Sequence, residues 1–161
     1  MQDLEYEALS WGLPMQHLHT IQAEARHVDM FGHVNNAWYV AWAMDCAWGH
    51  SEALGLDFTA YERVGIGCVV REHRFTYLAA AHAGDGVVIG TAIIRNDGKL
   101  RLTRGFELRR AGDDRLLVRG ETDFVSISLA SGRATRMPAD YVRLYAPADA
   151  TQRSRASRTQ G

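Results

Sequence analysis

Lysine is nearly absent from this chain. Lys99 is the only one among 18 basic side chains, and the rest are arginines. Base composition of the gene is the plainer reading of that bias, although arginine forks also grip phosphates well. Cysteine is as scarce. Cys46 and Cys68 stand alone with no C-x-x-C spacing, which excludes a disulfide scaffold and reads as buried thiols in a reducing compartment. No apolar run approaches the roughly 20 residues needed to cross a bilayer. The N-terminus has neither the basic start nor the apolar centre of a secretory signal. An excess of one charge is missing too: the formal net charge is −1, so the whole-chain field argues for neither nucleic acid nor a membrane surface. Together these absences predict a cytoplasmic protein. Several motifs are missing as well. There is no P-loop. Gly65-Ile66-Gly67 begins a strand pattern instead of following one, unlike a dinucleotide loop. Gly49-His50-Ser51-Glu52 lies within a helix pattern and is no nucleophile elbow.

What is there is one domain's worth of chain, 161 residues, enough to bury a real core. Residues 1–16 read as a lead-in arm. His17 to Arg26 alternates as a strand. From Asn36 to Leu54 the period changes: Tyr39, Ala43, Cys46, Ala47, His50, Ala53 and Leu54 recur at helical spacing, widened by Trp38, Trp42 and Trp48. Such breadth predicts a helix covered on most sides. Asn35 or Asn36 suits its N-cap and Gly55 its end. A loop holding Asp57 to Arg63 follows. Strand patterns then run over 66–78, 87–95, 99–110 and 115–130, with Asn96-Asp97-Gly98 a strong hairpin signal. Pro138 to Tyr145 reads as a short closing helix. Residues 148–161 have the composition of a disordered tail, so the folded domain is expected over 17–147. Helices and strands are segregated, which predicts an α+β fold: one long helix against a curved antiparallel sheet of about five strands.

The chemistry concentrates in Asp29-Met30-Phe31-Gly32-His33-Val34-Asn35-Asn36-Ala37-Trp38-Tyr39. A carboxylate stands just ahead of a helix start, with a glycine between. A carboxylate can attack a carbonyl carbon or activate water, and free N–H groups at a helix N-terminus can hold the oxygen that becomes negative. Gly32 would let the backbone approach a ligand closely. An aspartate that merely turns the chain is the plain alternative. His33 could act as a base or simply shape the turn. His17 and His19 share one face of a strand without a third ligand, His73 and His82 read as surface residues, and no metal site is expected. Lys99, Arg101 and Arg104 fall on one strand pattern. Lys99 and Arg101 share a face by alternation, as a phosphate-binding edge or a solvated sheet face.

Arg26, Asp29, Gly32, His33, Val34, Asn35, Asn36 and Tyr39 resemble the D-x-x-G-h-V-N/Y-x-x-x-Y block of the 4-hydroxybenzoyl-CoA thioesterase family of hotdog-fold acyl-CoA hydrolases. The order strand, helix, four strands is similar to that family's, and Met137-Pro138-Ala139-Asp140-Tyr141 resembles its closing segment. The resemblance covers about residues 17–145. It implies hydrolysis of an acyl-CoA thioester, with Asp29 as nucleophile or general base and the Asn36 backbone N–H as oxyanion donor. It further implies substrate contacts from Gly32, His33, Val34, Asn35 and Tyr39, phosphate contacts from Lys99 and Arg101, and no cofactor. It also implies a homodimer, often paired into a homotetramer, with sites at the subunit boundary. Many relatives carry an acidic residue where Met44 stands; Met44 with Trp38, Trp42 and Trp48 suggests an apolar acyl pocket. A non-enzymatic acyl-CoA binding or sensing hotdog protein is the main alternative, and a hydratase using His33 with Asp29 a weaker one.

Overall fold

The computed structural model describes residues 2–148, so the tail expected over 148–161 lies outside the described residues from 149 onward. A short helix, α1 (Gln2–Glu7), opens the arm. β1 (His17–Gln22) stops short of Arg26, because Ala25–His27 form a single 3-10 turn. The long helix α2 (Asn36–Ala53) starts where Asn35 Oδ1 accepts the Ala37 N–H at 3.0 Å. The expected loop after it is a helix instead, α3 (Phe58–Val64). Its caps are present in the sequence: Asp57 Oδ1 accepts the Ala60 N–H at 2.8 Å, and Gly65 closes the helix with φ of 75°. β2 (Ile66–Tyr77), β3 (Gly86–Asn96), β4 (Arg101–Arg110), β5 (Arg115–Ser128) and α4 (Ala139–Leu144) complete the chain.

The five strands form one antiparallel sheet in the order β1-β3-β4-β5-β2. Register breaks at Val70/Glu72, Ile93/Arg95 and Leu108/Arg109 bend it. α2 lies in the hollow. Tyr39, Trp42, Ala43, Cys46 and Ala47 share a core with Val87, Ile89, Phe106, Leu108 and Val118. Each large side chain so buried contributes about 1.5–3 kcal/mol. The opposite stripe of α2, with Ala37, Ala41, Asp45, Trp48 and Glu52, is exposed. The breadth of apolar sequence therefore does not mean burial all round, and Trp48 stands on the open side. A second core joins Leu56 and Tyr61 to Ile93, Leu102, Met137, Tyr141 and Tyr145. A helix laid in a curved five-stranded antiparallel sheet is the hotdog arrangement that the resemblance implies.

Arg104 departs from the expected basic strand face. It points inward between the two cores and is 2% exposed. Its guanidinium donates to His50 Nδ1 at 2.7 Å and Ser51 Oγ at 3.1 Å. Tyr145 places its ring 5.3 Å from that cation and its hydroxyl 2.8 Å from Ser51 Oγ. The Tyr145 hydroxyl also meets that of Tyr61. Cys46 and Cys68 lie in this region, and burial pushes their thiols up to about 12 and about 11.

Over β3 and β4 the outer face of the sheet is covered by the chain's own arm. Gly12 N–H donates to Glu107 at 2.9 Å, Ser10 N–H to Asp114 at 3.0 Å, and the Arg109 guanidinium lies 5.7 Å from the Trp11 ring. Gly90 and Gly105 make room for it: a Cβ there would fall 2.8 Å from Met15 and 2.5 Å from Leu13.

Candidate active site

The segment between β1 and α2 is a small closed frame. Asn35 N–H donates to the His27 carbonyl at 2.8 Å, Val28 and Val34 pair as an antiparallel bridge, and Asp29 N–H donates to the His33 carbonyl at 2.9 Å. The tip turns back through Gly32, whose N–H reaches the Asp29 carbonyl at 3.1 Å and whose φ is +78°. A Cβ on Gly32 would meet nothing within 4 Å. The glycine is thus required for its backbone conformation, and within the chain the expected role of making room is not what fixes it.

Asp29 is half-buried at this tip. Its Oδ1 accepts the Phe31 N–H at 2.9 Å, while Oδ2 has no partner among the described residues. From Asp29 the frame returns the chain to α2 at once: Asn35 caps the helix, and no described group accepts the Asn36 N–H. A carboxylate with a free oxygen and an open helix N-terminus are therefore tied into one short unit. Met30 and Phe31 ride on the tip, 92% and 78% exposed.

The other expected residues divide. His33 is exposed, with its ring edge-on to His82 at 5.3 Å. Val34 is 4% exposed and belongs to the core, where its N–H donates to the Ala81 carbonyl at 2.9 Å; its side chain is not free to touch a ligand. Tyr39 is likewise a core residue at 3% exposure. Its hydroxyl accepts the Ala81 N–H at 2.9 Å, and burial pushes its phenol above the usual range. Tyr77 joins the site without a signal in the sequence: its hydroxyl donates to the Asn36 carbonyl at 3.4 Å, and its ring lies 5.9 Å from that of Tyr39. No spacing rule links residues 41 apart, so only the register of β2 could have found it. His27, equally silent in the sequence, is buried against α2. Of the apolar side chains expected to form one acyl pocket, Trp38, Trp42 and Met44 pack with the first core, where Trp38 and Trp42 both meet His27, while Trp48 stands apart against Tyr61.

Lys99 and Arg101 are exposed, but they do not share a strand face, because Lys99 sits in the β3–β4 turn. There the Asp97 carboxylate accepts the N–H groups of Lys99, Leu100 and Arg101 at 2.7–2.9 Å. The Asp29 frame is fastened beside Ala81, near the Gly86 end of β3, whereas Lys99 and Arg101 lie past its Asn96 end. Eleven residues of strand separate them, a length of about 35 Å. Within one chain they cannot serve the same small group. A hollow of about 440 Å³ lies between the arm and the sheet, lined by Leu13, Ile94, Arg74, Glu107, Arg119 and Glu121 among others. None of its lining belongs to the Asp29 frame. Among the described residues no His, Cys, Asp and Glu cluster could hold a metal ion, and no helix is long and apolar enough to cross a membrane.

Residues 23–144 match the thioesterase-like superfamily. No curated protein matches the chain. Solved structures do. The PA2801 protein of Pseudomonas aeruginosa is 26% identical, with a TM-score of 0.71 over 80% of this chain and 96% of its own. The SAV2348 protein of Staphylococcus aureus, solved in complex with CoA, is 22% identical, with a TM-score of 0.74 over 84% and 85%. A 1,4-dihydroxy-2-naphthoyl-CoA thioesterase from Synechocystis is 18% identical, with a TM-score of 0.72 over 80% and 94%.

Proposed function

The chain belongs to the thioesterase-like superfamily, and from that premise we propose that it hydrolyses an acyl-CoA thioester to the free acid and coenzyme A. The observation that carries the proposal is the frame itself: Asp29 Oδ2 and the Asn36 N–H, each without a hydrogen-bond partner among the described residues, joined through the Asn35-to-His27 hydrogen bond. The Asp29 carboxylate attacks the thioester carbon, or takes a proton from a water that does. Either way the carbonyl oxygen gains charge, which the Asn36 N–H and the positive end of α2 receive. Collapse of the tetrahedral species breaks the carbon–sulfur bond and expels the thiolate of coenzyme A, directly leaving the free acid on the water route; on the nucleophilic route a water then hydrolyses the Asp29–acyl anhydride, which releases the acid and restores the carboxylate. Gly32 shapes the turn, Asn35 caps the helix, and Val34 and Tyr39 hold both from the core. Met30, Phe31 and Tyr77 give the mouth an apolar lining, which favours an apolar acyl group. The motif likeness favours the 4-hydroxybenzoyl-CoA thioesterase family within the superfamily. A structural neighbour solved with CoA supports CoA as the carrier.

The assembly is a homodimer in this reading, with Lys99 and Arg101 reaching the phosphates of coenzyme A bound to a second copy. Their separation from Asp29 along β3 is the reason: only a partner can bring them near. The folded domain spans 17–147 with 1–16 as its arm, and the protein works in the cytoplasm.

Asp29→Asn preserves the turn, since the amide oxygen still accepts the Phe31 N–H, but removes the charge. Turnover across a panel of acyl-CoA substrates, read by thiol release, should fall at least a hundredfold, about 2.7 kcal/mol in barrier, with binding retained. Unchanged turnover of a good substrate would end the catalytic assignment. Tight acyl-CoA binding by the native protein without thiol release would favour the sensing alternative.

A further inference from the structure

His27 is 1% exposed, in a loop region where most neighbours are open to water. Three sets of contacts meet on it. Its Nδ1 accepts the Glu24 N–H at 2.9 Å, and its own N–H returns to the Glu24 carbonyl at 2.9 Å, closing the 3-10 turn. Its carbonyl accepts the Asn35 N–H, the bond that closes the Asp29 frame. Its ring stands steeply against two indoles of α2, at 4.7 Å from Trp38 and 5.2 Å from Trp42. Trp38 and Trp42 are one helical turn apart and lie in the first two turns of α2.

Beyond the catalytic proposal, and resting on it, we infer that His27 is a positioning residue that fixes the Asp29 carboxylate relative to the Asn36 N–H. The loop and the helix each have local bonds of their own. His27 bonds the loop through its backbone, and its Nδ1, by accepting the Glu24 N–H, holds the 3-10 turn closed beside α2. Opening that turn would shift the frame against α2. Its hydrogen-bond state is specific. With Nδ1 accepting, the ring proton resides on Nε2, which is buried and has no hydrogen-bond acceptor among the described residues. Two indoles stand steeply against this ring. Burial first, then the Arg26 charge, holds the imidazole pKa below its ordinary value, which favours this neutral form.

Two substitutions separate the contributions. His27→Phe keeps a ring against the indoles and deletes the acceptor; His27→Asn keeps an acceptor near the place of Nδ1. In His27→Phe, amide exchange at Gly32 and Asn35 should speed up at least tenfold while β3 and β4 amides stay protected. On a thioester that the native protein hydrolyses, kcat should drop at least tenfold with KM within twofold, and His27→Asn should return to within threefold of native kcat. Native kcat and native exchange in His27→Phe would overturn the inference. So would equal loss in both variants with protection lost throughout the sheet, which would mean a general structural role. If His27→Phe does not fold, His27→Asn decides alone, and a loss beyond tenfold overturns it. Failure of the catalytic reading is separately visible: native protein would release no thiol, or Asp29→Asn would be as active as native. The exchange measurement still judges His27 in that case.

Discussion

Arg104 carries a full charge inside the protein, and among the described residues no carboxylate pairs with it. Its partners are a neutral imidazole, a hydroxyl and aromatic faces, close to the C-terminal end of α2, where the helix dipole is negative. The arrangement requires His50 to accept a hydrogen bond and not to carry a charge. Burial, then Arg104 and His17, lower the His50 pKa to about 4. The His17 ring stacks on it at 5.8 Å and is lowered as well, mainly by burial. In the unfolded chain His50 titrates near 6.5, so between about pH 6.5 and 4 the unfolded state binds more protons. Stability therefore falls as pH is lowered through that window. By pH 4.5 the loss due to His50 is roughly 2–3 kcal/mol. His50→Asn keeps an acceptor for Arg104 without a titrating ring. Denaturant melts at about pH 7 and 4.5 should show a loss smaller than native by about that amount. An identical loss in both proteins would show that His50 does not govern this response.

At the level of elements, the fold is legible in the sequence where a local rule suffices. The Asn96-Asp97-Gly98 turn, the strand runs of β3 to β5 and the period of α2 are all legible within about a dozen residues. α3 escapes such a reading, although Asp57 and Gly65 are proper caps, because seven residues are too few to display a helical period. Arg104 misleads because an arginine in a strand looks like a solvent residue until its inward neighbours are known. The tie between Asp29 and the start of α2 is legible from their spacing. The separation of Lys99 and Arg101 from them is not, since it depends on which end of β3 each loop joins. The arm is hardest, because its anchors are 95 and 104 residues away at Glu107 and Asp114. Gly105, a mid-strand glycine that weakens β4 locally, is its trace in the sequence. Gly105→Val should force Leu13 off the sheet, since even a Cβ would lie 2.5 Å from it. Chymotrypsin cleavage at Trp11 should then accelerate, with the Tm lower by several degrees, about 1 kcal/mol or more. Native cleavage and melting would mean that the arm does not depend on this close approach.

Among the described residues the molecule has an unsatisfied side. β2 is a twelve-residue edge strand, and Val69, Val70, Tyr77 and Leu78 on or beside it are 39–46% exposed. An open, partly apolar edge of that length is a template for another strand. The sequence of β2 suits a second copy of itself. Antiparallel pairing centred on His73 sets Glu72 opposite Arg74 and Val69 opposite Tyr77, joining opposite charges and apolar side chains across the axis. The same pairing brings the Ile66 end of one β2 to the Tyr77 end of the other. In each chain Arg101 belongs to the Ile66 end, through its pairing with Val125, and Tyr77 belongs to the Asp29 end, through its bond to Asn36. A dimer built this way would answer the separation that one chain cannot. Sedimentation should give a dimer, and Val70→Lys should shift it to monomer with a loss of thioester hydrolysis. His73→Cys should form an intermolecular disulfide under mild oxidation, because facing positions across an antiparallel pair lie about 5 Å apart, within disulfide reach. A native protein that sediments as a monomer while remaining fully active would refute the shared site. A dimer that resists the cross-link would place the axis away from His73.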